Sequence, residues 1–489
     1  MHRMGKQQLF RRDFNFIPSV AFVILVQLSW VCFLSANTQG LIDGGIAGLF
    51  WSTIWTLVGF LMIISSMAEM ASRAPTSGGQ YHWVSEYAPP NIQKPLSYFC
   101  GWMSVLSWQA GQASSPLLVS GMIQSLISND NASYDWTNLR STLIGFPVIL
   151  IVYILNVYAA HKMPLLQNMM LILYIFGFIV ILVTMLVLSP RIQFVDVLTE
   201  FSNQGGYSTI GLSLMIGQMT PIFAFLCADS ASHLAEEVRD ASLTVPRAMF
   251  YSFVANAVMG IAMLIAFLVC ITDIDAAVND LTGYPFMWVF RQGMNSAGQN
   301  VLACIVILLF FGSTVAFNLS TSRQTFAFAR DRGLPFSDWF AKVDSRRQIP
   351  HNSIIFTCLF TFVLSLINIG SDTAWGALVS LNVSSLMITY IAAFGCIIWR
   401  RIYRPETLPI ARWTLGRYGL WINAGAIIYA SFAFFWSFWP ETLPFEVDTF
   451  NWSSVIFVGI SLIAIIDYFA RGRKHFDGPV TLTEGWRRD

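Results

Sequence analysis

Asp229 is the residue in this chain whose position is hardest to explain by packing alone. It closes the apolar run Thr220-Pro221-Ile222-Phe223-Ala224-Phe225-Leu226-Cys227-Ala228-Asp229 and is followed by His233 and then by Glu236 and Glu237. A charge at bilayer depth is costly, so an acid in such a run marks a substrate or ion pathway by default. Two chemistries are open to it: contact with a cationic substrate group, or carriage of a proton. The bland alternative is an acid that accepts hydrogen bonds from unwound backbone amides. His233, one turn on, is either a proton relay or a satisfied packing histidine. Glu236 and Glu237, followed by Arg239, Asp240 and Arg247, read as a solvated, ion-paired gate. Glu69 with Arg73 four residues later repeats that arrangement. Pro221 removes one helix hydrogen bond and crowds the preceding turn. A helix break at membrane depth is tolerated only where it lines a cavity or is buried in protein.

A second constellation sits near the N-terminus. Ser29, Trp30, Val31 and Cys32 interrupt an apolar run at mid-depth, and Ser35, Asn37, Thr38 and Gln39 follow before Gly40, Asp43, Gly44 and Gly45. Polar residues this dense are either packing glue between helices or a second broken helix facing the first. Two further segments are long and seeded with polar residues: Ser104, Ser107, Gln109, Gln112, Ser114 and Ser115 in one, and Ser313, Thr314, Asn318, Ser320 and Thr321 in the other. The competing chemistries lack their motifs. There is no G-x-x-x-x-G-K-[ST] phosphate loop, no H-E-x-x-H, no G-x-S-x-G, no arginine-rich sensor span and no C-x-x-C metal pair.

The elements that must position these residues are membrane helices. Of 489 residues 55% are apolar and 11% charged, against about 25% charged in soluble domains. Runs such as 165–189, 248–271, 373–399 and 418–440 exceed the roughly 20 residues that cross the hydrocarbon core. Hydropathy with glycine and proline breaks predicts twelve spans: 17–41, 46–70, 96–127, 141–160, 164–188, 209–234, 247–272, 299–328, 352–370, 373–399, 418–440 and 452–470. With the N-terminus inside, 24 of the 28 Lys and Arg fall in internal tails and loops, so both termini are expected in the cytoplasm. The basic N-terminus lacks a small-residue cleavage site, so the first span is expected to stay in the mature protein. Net charge is +1, which gives no field for nucleic acid. Two sequons, at Asn131 and Asn451, fall in loops this topology puts outside; Asn451 lies so near span 12 that it is expected to stay unmodified.

Interrupted helices at positions 1 and 6, five spans apart, point to an inverted-repeat secondary transporter with its site at the repeat interface. The expected organisation is a tail over 1–16, a core over 17–400 with repeats of about 17–190 and 209–400, two further spans over 418–470, and a tail over 471–489.

Three strings carry a resemblance. The segment Met67-Ala68-Glu69-Met70-Ala71-Ser72-Arg73-Ala74-Pro75-Thr76-Ser77-Gly78-Gly79-Gln80-Tyr81, the stretch from Phe223 through the paired glutamates to Val245-Pro246-Arg247, and Ser322-Arg323-Gln324-Thr325-Phe326-Ala327-Phe328-Ala329-Arg330-Asp331-Arg332-Gly333-Leu334-Pro335 together resemble the amino acid–polyamine–organocation permeases, in particular their fungal GABA, choline and amino-acid branch. The resemblance implies an all-α, leucine-transporter-like fold of two inverted five-helix repeats plus two helices, working by alternating access. It places substrate between the breaks of spans 1 and 6. Phe223 matches the family's aromatic gate, Leu226, Cys227 and Ala228 its unwound segment, and Asp229 the polar residue ending it; the span 1 break is placed near Ser29–Cys32. Many relatives have glycines at both breaks, where this chain has Trp30, Val31, Leu226 and Cys227.

The expected function is therefore a non-enzymatic plasma-membrane carrier that imports a small amino compound, with the vacuole as the alternative address. Half-helix N-termini suit a carboxylate, and unwound carbonyls with Asp229 suit an ammonium group. GABA meets both; choline would need aromatic faces, from Trp30, Phe223 and Phe225. The candidate substrate residues are Ser29, Trp30, Val31, Cys32, Phe223, Phe225, Leu226, Cys227, Ala228 and Asp229. Candidate coupling or gating residues are Asp229, His233, Glu236, Glu237, Ser313 and Thr314. No cofactor or metal is implied. The proton motive force is the expected drive, sodium is left open, and the expected partners are a small molecule and the bilayer, with oligomeric state open. A nutrient receptor of the same fold is the rival, disfavoured by the short tails.

Overall fold

The computed structural model describes residues 8–131, 133–371, 373–444, 446 and 449–479. Residues 1–7 and 480–489 of the two expected tails, and Ala132 of the first sequon, lie outside them. Among the described residues eleven helical segments are long and apolar enough to cross a membrane. A twelfth crossing, Gln93–Asp130, has 38 residues but is too polar on average to match them. Its polarity has a local cause: Ser104, Ser107, Gln109, Gln112 and Ser114 are all buried, so the polar face turns into the bundle and meets spans 8 and 10.

In chain order the spans are span 1 (Phe16–Gln27 and Ser29–Ser35), span 2 (Gly45–Arg73), span 3 (Gln93–Asp130), span 4 (Asn138–Tyr158), span 5 (Met163–Leu188), span 6 (Ile210–Gly217, Met219–Phe225 and Ser230–His233), span 7 (Ala241–Val269), span 8 (Ser296–Arg330), span 9 (His351–Ser365), span 10 (Ala374–Tyr403), span 11 (Gly419–Trp436) and span 12 (Ser453–Asp467). A short buried helix, Gln80–Tyr87, lies between spans 2 and 3. Outward-facing Ile172, Val258 and Ile428 are exposed apolar side chains on spans 5, 7 and 11, the surface a hydrocarbon solvent requires.

Span 1 stops at Ser35, short of the expected 41. Asn37 turns its amide back onto the Phe33 and Leu34 carbonyls at 2.8 and 3.0 Å, and Ser35 bonds the Val31 carbonyl at 2.6 Å; such local bonds compete with helix continuation. A short helix, Thr38–Ile42, then leads to Asp43–Gly44, which pairs antiparallel with Ser202–Asn203. Gly45 sits at φ +70, and a Cβ there would lie 2.6 Å from the Ser202 amide, so this turn requires glycine.

Both terminal segments lie on one face. Phe14 bonds Glu237 and Arg239 through its backbone, at 3.1 and 2.9 Å, and Phe10 packs on Phe326 at the end of span 8. The Arg471 guanidinium reaches the Arg332 and Gly333 carbonyls on the same face. This is the terminal face of the protein.

Candidate functional site

Span 1 breaks at one residue. Leu28 adopts the left-handed conformation (φ 50, ψ 37), which costs a non-glycine residue about 1–2 kcal/mol. Span 6 breaks over Leu226–Asp229, with Cys227 at φ 68. The two breaks stitch each other. Gln27 donates to the Phe225 carbonyl at 2.9 Å and Ser29 to the Ala224 carbonyl at 2.6 Å, satisfying acceptors that the end of Met219–Phe225 leaves open. Gln27 is held in turn by Asn256 of span 7 (3.0 Å), whose carbonyl oxygen accepts from Tyr174 of span 5 (2.6 Å). The Leu226 carbonyl accepts no hydrogen bond among the described residues.

A small cavity of about 30 Å³ lies at the crossing, lined by Gln27, Leu28, Cys32, Ser114, Ser115, Phe223, Leu226, Cys227, Ser313 and Asn382, among others. No ionisable carboxylate or base lines it. Asn382 of span 10 is fixed by Ser107, which donates to its backbone and side-chain oxygens at 2.9 and 3.0 Å. A Cβ at Gly111 would fall 2.2 Å from the Asn382 amide nitrogen. Towards the face opposite the termini a second cavity of about 450 Å³ opens, and Phe223 lines both. Phe223 meets Trp375 edge-on at 5.8 Å, which places it as the partition between them.

Several expected site residues lie elsewhere. Ser29 is a brace between the breaks. Trp30 is fully buried and turns to Tyr174 and Phe178 of span 5, at 5.4 and 6.1 Å; Phe225 turns to Phe33 and Phe253, at 5.3 and 5.6 Å. Val31, Ala228 and Thr314 are buried and do not line either cavity. Asp229 is also outside the small cavity, on its terminal-face side. One of its oxygens accepts from Gln80, the other from Tyr390 of span 10 at 3.0 Å. His233 donates Nδ1–H to the Ser77 carbonyl at 3.0 Å, packs on Trp108, and holds Nε2 3.7 Å from Asp229 Oδ2 with no hydrogen bond of its own.

The terminal face is sealed by ion pairs. Arg330 grips Glu236 with two bonds of 2.7 and 2.8 Å, and Arg323 meets Glu237 at 2.8 Å. Tyr81 donates to Asp331 at 3.0 Å. Glu69 takes Arg73, as its spacing allows, but also Arg401 and Thr414. The expected gate is thus paired with span 8 and not with the basic residues that follow it in sequence, and Glu236 is 1% exposed, so it is not solvated.

The chain's residues 8–463 match the family model described as amino acid permease. The chain belongs to this family. Its fold is accordingly the all-α polytopic fold of the amino acid–polyamine–organocation superfamily. A choline transporter of Saccharomyces cerevisiae is 25% identical over 92% of this chain and 79% of its own length. Amino-acid permease 2 of Neurospora crassa is 27% identical over 98% and 88%, and an amino-acid permease of Arabidopsis thaliana is 25% identical over 98% and 96%. This permease is therefore a multi-pass membrane transporter for amino compounds and not an enzyme.

Gln27, Gln80, Asn382 and Tyr390 were not singled out by sequence reasoning. Gln80 lies within one of the quoted family strings, and that was the available signal; the other three are polar residues within apolar spans.

Proposed function

We propose that this permease imports a small zwitterionic amino acid by alternating access, driven by protons. One observation carries the reading: the crossing of two broken helices holds a small cavity with no charged lining residue, parted by Phe223 from a larger cavity that opens to one face, and is sealed from the other face. A zwitterion such as GABA has no net charge to compensate in such a cavity. The amides that open Ser29–Ser35 suit its carboxylate, and the Leu226 carbonyl suits its ammonium group. Proton carriage falls to Asp229 with His233. The unbonded Nε2 faces the carboxylate, so one proton between them neutralises Asp229, loosening the hold of Gln80 and Tyr390 that keeps the terminal face shut.

In this reading the terminal face is cytoplasmic, in keeping with the basic residues gathered there. Residues 17–190 and 209–400 are the inverted repeats, 418–470 an added helix pair, and the plasma membrane is the address. Choline is the second reading, favoured by the yeast relative's name and by the aromatic lining of the larger cavity. Uptake of labelled GABA into permease-deficient yeast expressing the chain, at acidic pH, tests the proposal. Uptake abolished by a protonophore supports it, and competition by choline would admit the second reading. Absence of uptake for GABA, choline and a mixed amino-acid pool, with the protein confirmed at the surface, would refute it and favour a receptor.

A further inference from the structure

The larger cavity holds a charge that the transport reading does not use. Glu441, from the connection between spans 11 and 12, lines it together with Trp136, Tyr284, Trp375 and Trp439. The half-buried carboxylate lies flat against the backbone of Gly376, where a Cβ would fall 2.2 Å from Oε1. Its backbone carbonyl accepts from Gln39 at 2.9 Å. The carboxylate itself has no hydrogen bond or ion pair among the described residues.

A neighbouring acid differs. Asp43 is bonded by Gln39 and by Ser213, the latter at 3.1 Å. Two basic residues at this end of the molecule are engaged away from the cavity: Arg291 with Asp280 at 2.8 Å, and Arg140 with the Asp135 carbonyl and the Tyr134 ring. A carboxylate left without a counter-charge in a partly dry cavity is costly, and burial pushes the Glu441 carboxyl up. Aromatic rings in the wall of the same cavity attract cations through their ring quadrupoles. Carboxylate and rings together select an organic ammonium group over both an anion and a neutral molecule of the same shape.

We propose that the larger cavity is a binding site for an organic ammonium group, with Glu441 as its counter-ion and Trp439, Trp375, Trp136 and Tyr284 as its aromatic wall. The site deepens the proposed function, on which its role as a waiting station rests: a substrate would be met first by its ammonium end, before passing Phe223.

Calorimetric titration of the purified full-length permease in nanodiscs tests this without any transport. The probes are choline and its uncharged carbon isostere, 3,3-dimethylbutan-1-ol. Choline is expected to bind, the alcohol not to bind, and Glu441→Gln to weaken choline by about tenfold with an unchanged unfolding temperature. Trp439→Leu should weaken it about threefold. Equal binding of choline by wild type and Glu441→Gln, or equal binding of the alcohol, overturns the proposal. Should Glu441→Gln fail to fold, Glu441→Asp, which keeps the charge but withdraws it by one methylene, and Trp439→Leu decide it by the same comparison. A chain that binds choline in this way yet transports nothing would refute the carrier reading and leave the site standing.

Discussion

Replacing Arg330 by Met tests whether the ion pairs hold the terminal face shut. Glu236 is 1% exposed and receives two guanidinium bonds of 2.7 and 2.8 Å, so the substitution strips a buried carboxylate of its main counter-charge. Breaking a buried pair on one side costs about 3–5 kcal/mol. That cost falls on the sealed conformation alone if opening hydrates Glu236. At about 1.4 kcal/mol per decade the balance between sealed and open forms then moves by roughly two to three and a half decades towards opening. The assay uses a chain that keeps Cys227 as its sole cysteine, since Cys227 faces the small cavity. A maleimide applied to vesicles presenting the terminal face should label the Arg330→Met chain at least 100-fold faster than its parent, about two decades, and uptake should fall in parallel. Adding Glu236→Gln removes the orphaned charge and should return labelling most of the way. Labelling of Arg330→Met at the parental rate, or a double variant labelled as fast as the single one, would refute the reasoning.

Three further outcomes are expected. Asp229→Asn should reach the membrane in normal amounts and still exchange labelled for unlabelled substrate, yet lose proton-driven accumulation; an unchanged accumulation ratio would remove Asp229 from coupling. Burial pushes the Asp43 carboxyl up to about 7, with Glu441 adding to the effect and the bonds from Ser213 and Gln39 opposing it. Between its ordinary value of 3.8 and about 7 the native chain keeps a proton that the unfolded chain releases, so stability should fall as pH rises, by up to about 1.4 kcal/mol per pH unit. Asp43→Asn should flatten that slope in thermal unfolding scans, and a slope unaltered by the substitution would contradict it. Asn451 donates its side-chain amide to the Ser437 and Trp439 carbonyls at 3.1 and 2.9 Å and is buried, whereas Asn131 is exposed. Glycosidase treatment should therefore shift the gel mobility of wild type and Asn451→Gln but not of Asn131→Gln.

Asp229 stood out in the sequence because an acid in an apolar run has few cheap explanations, whereas Pro221 marks the turn before it, where span 6 steps at Gln218, and not the break at Leu226–Asp229. The apolar runs gave eleven of the crossings for the same reason: hydrocarbon thickness imposes a length that composition reveals. What composition could not reveal was direction. Trp30 and Phe225 lie in helices apolar on nearly all sides, where no periodicity says which face meets the cavity, and both turn into neighbouring spans. The span 1 break was equally hidden, since Leu28 is neither glycine nor proline. Its left-handed backbone is imposed from outside, by Gln27 and Ser29 bonding the open carbonyls of Met219–Phe225 some 195 residues away.

The same physics explains why Asp229 is placed beside the small cavity and not in it. A bare carboxylate lining a cavity of about 30 Å³ would hold a cationic group through Coulomb attraction strengthened by the low local dielectric, and release on the other face would then be slow. Set one layer deeper, with Gln80 and Tyr390 as hydrogen-bond donors, it leaves the small cavity lined by uncharged groups. The tight electrostatic contacts lie instead in the seal, where Arg330, Arg323 and Arg401 hold Glu236, Glu237 and Glu69. A carrier needs that division: ligand contacts weak enough to reverse, and gate contacts strong enough to tell its two conformations apart.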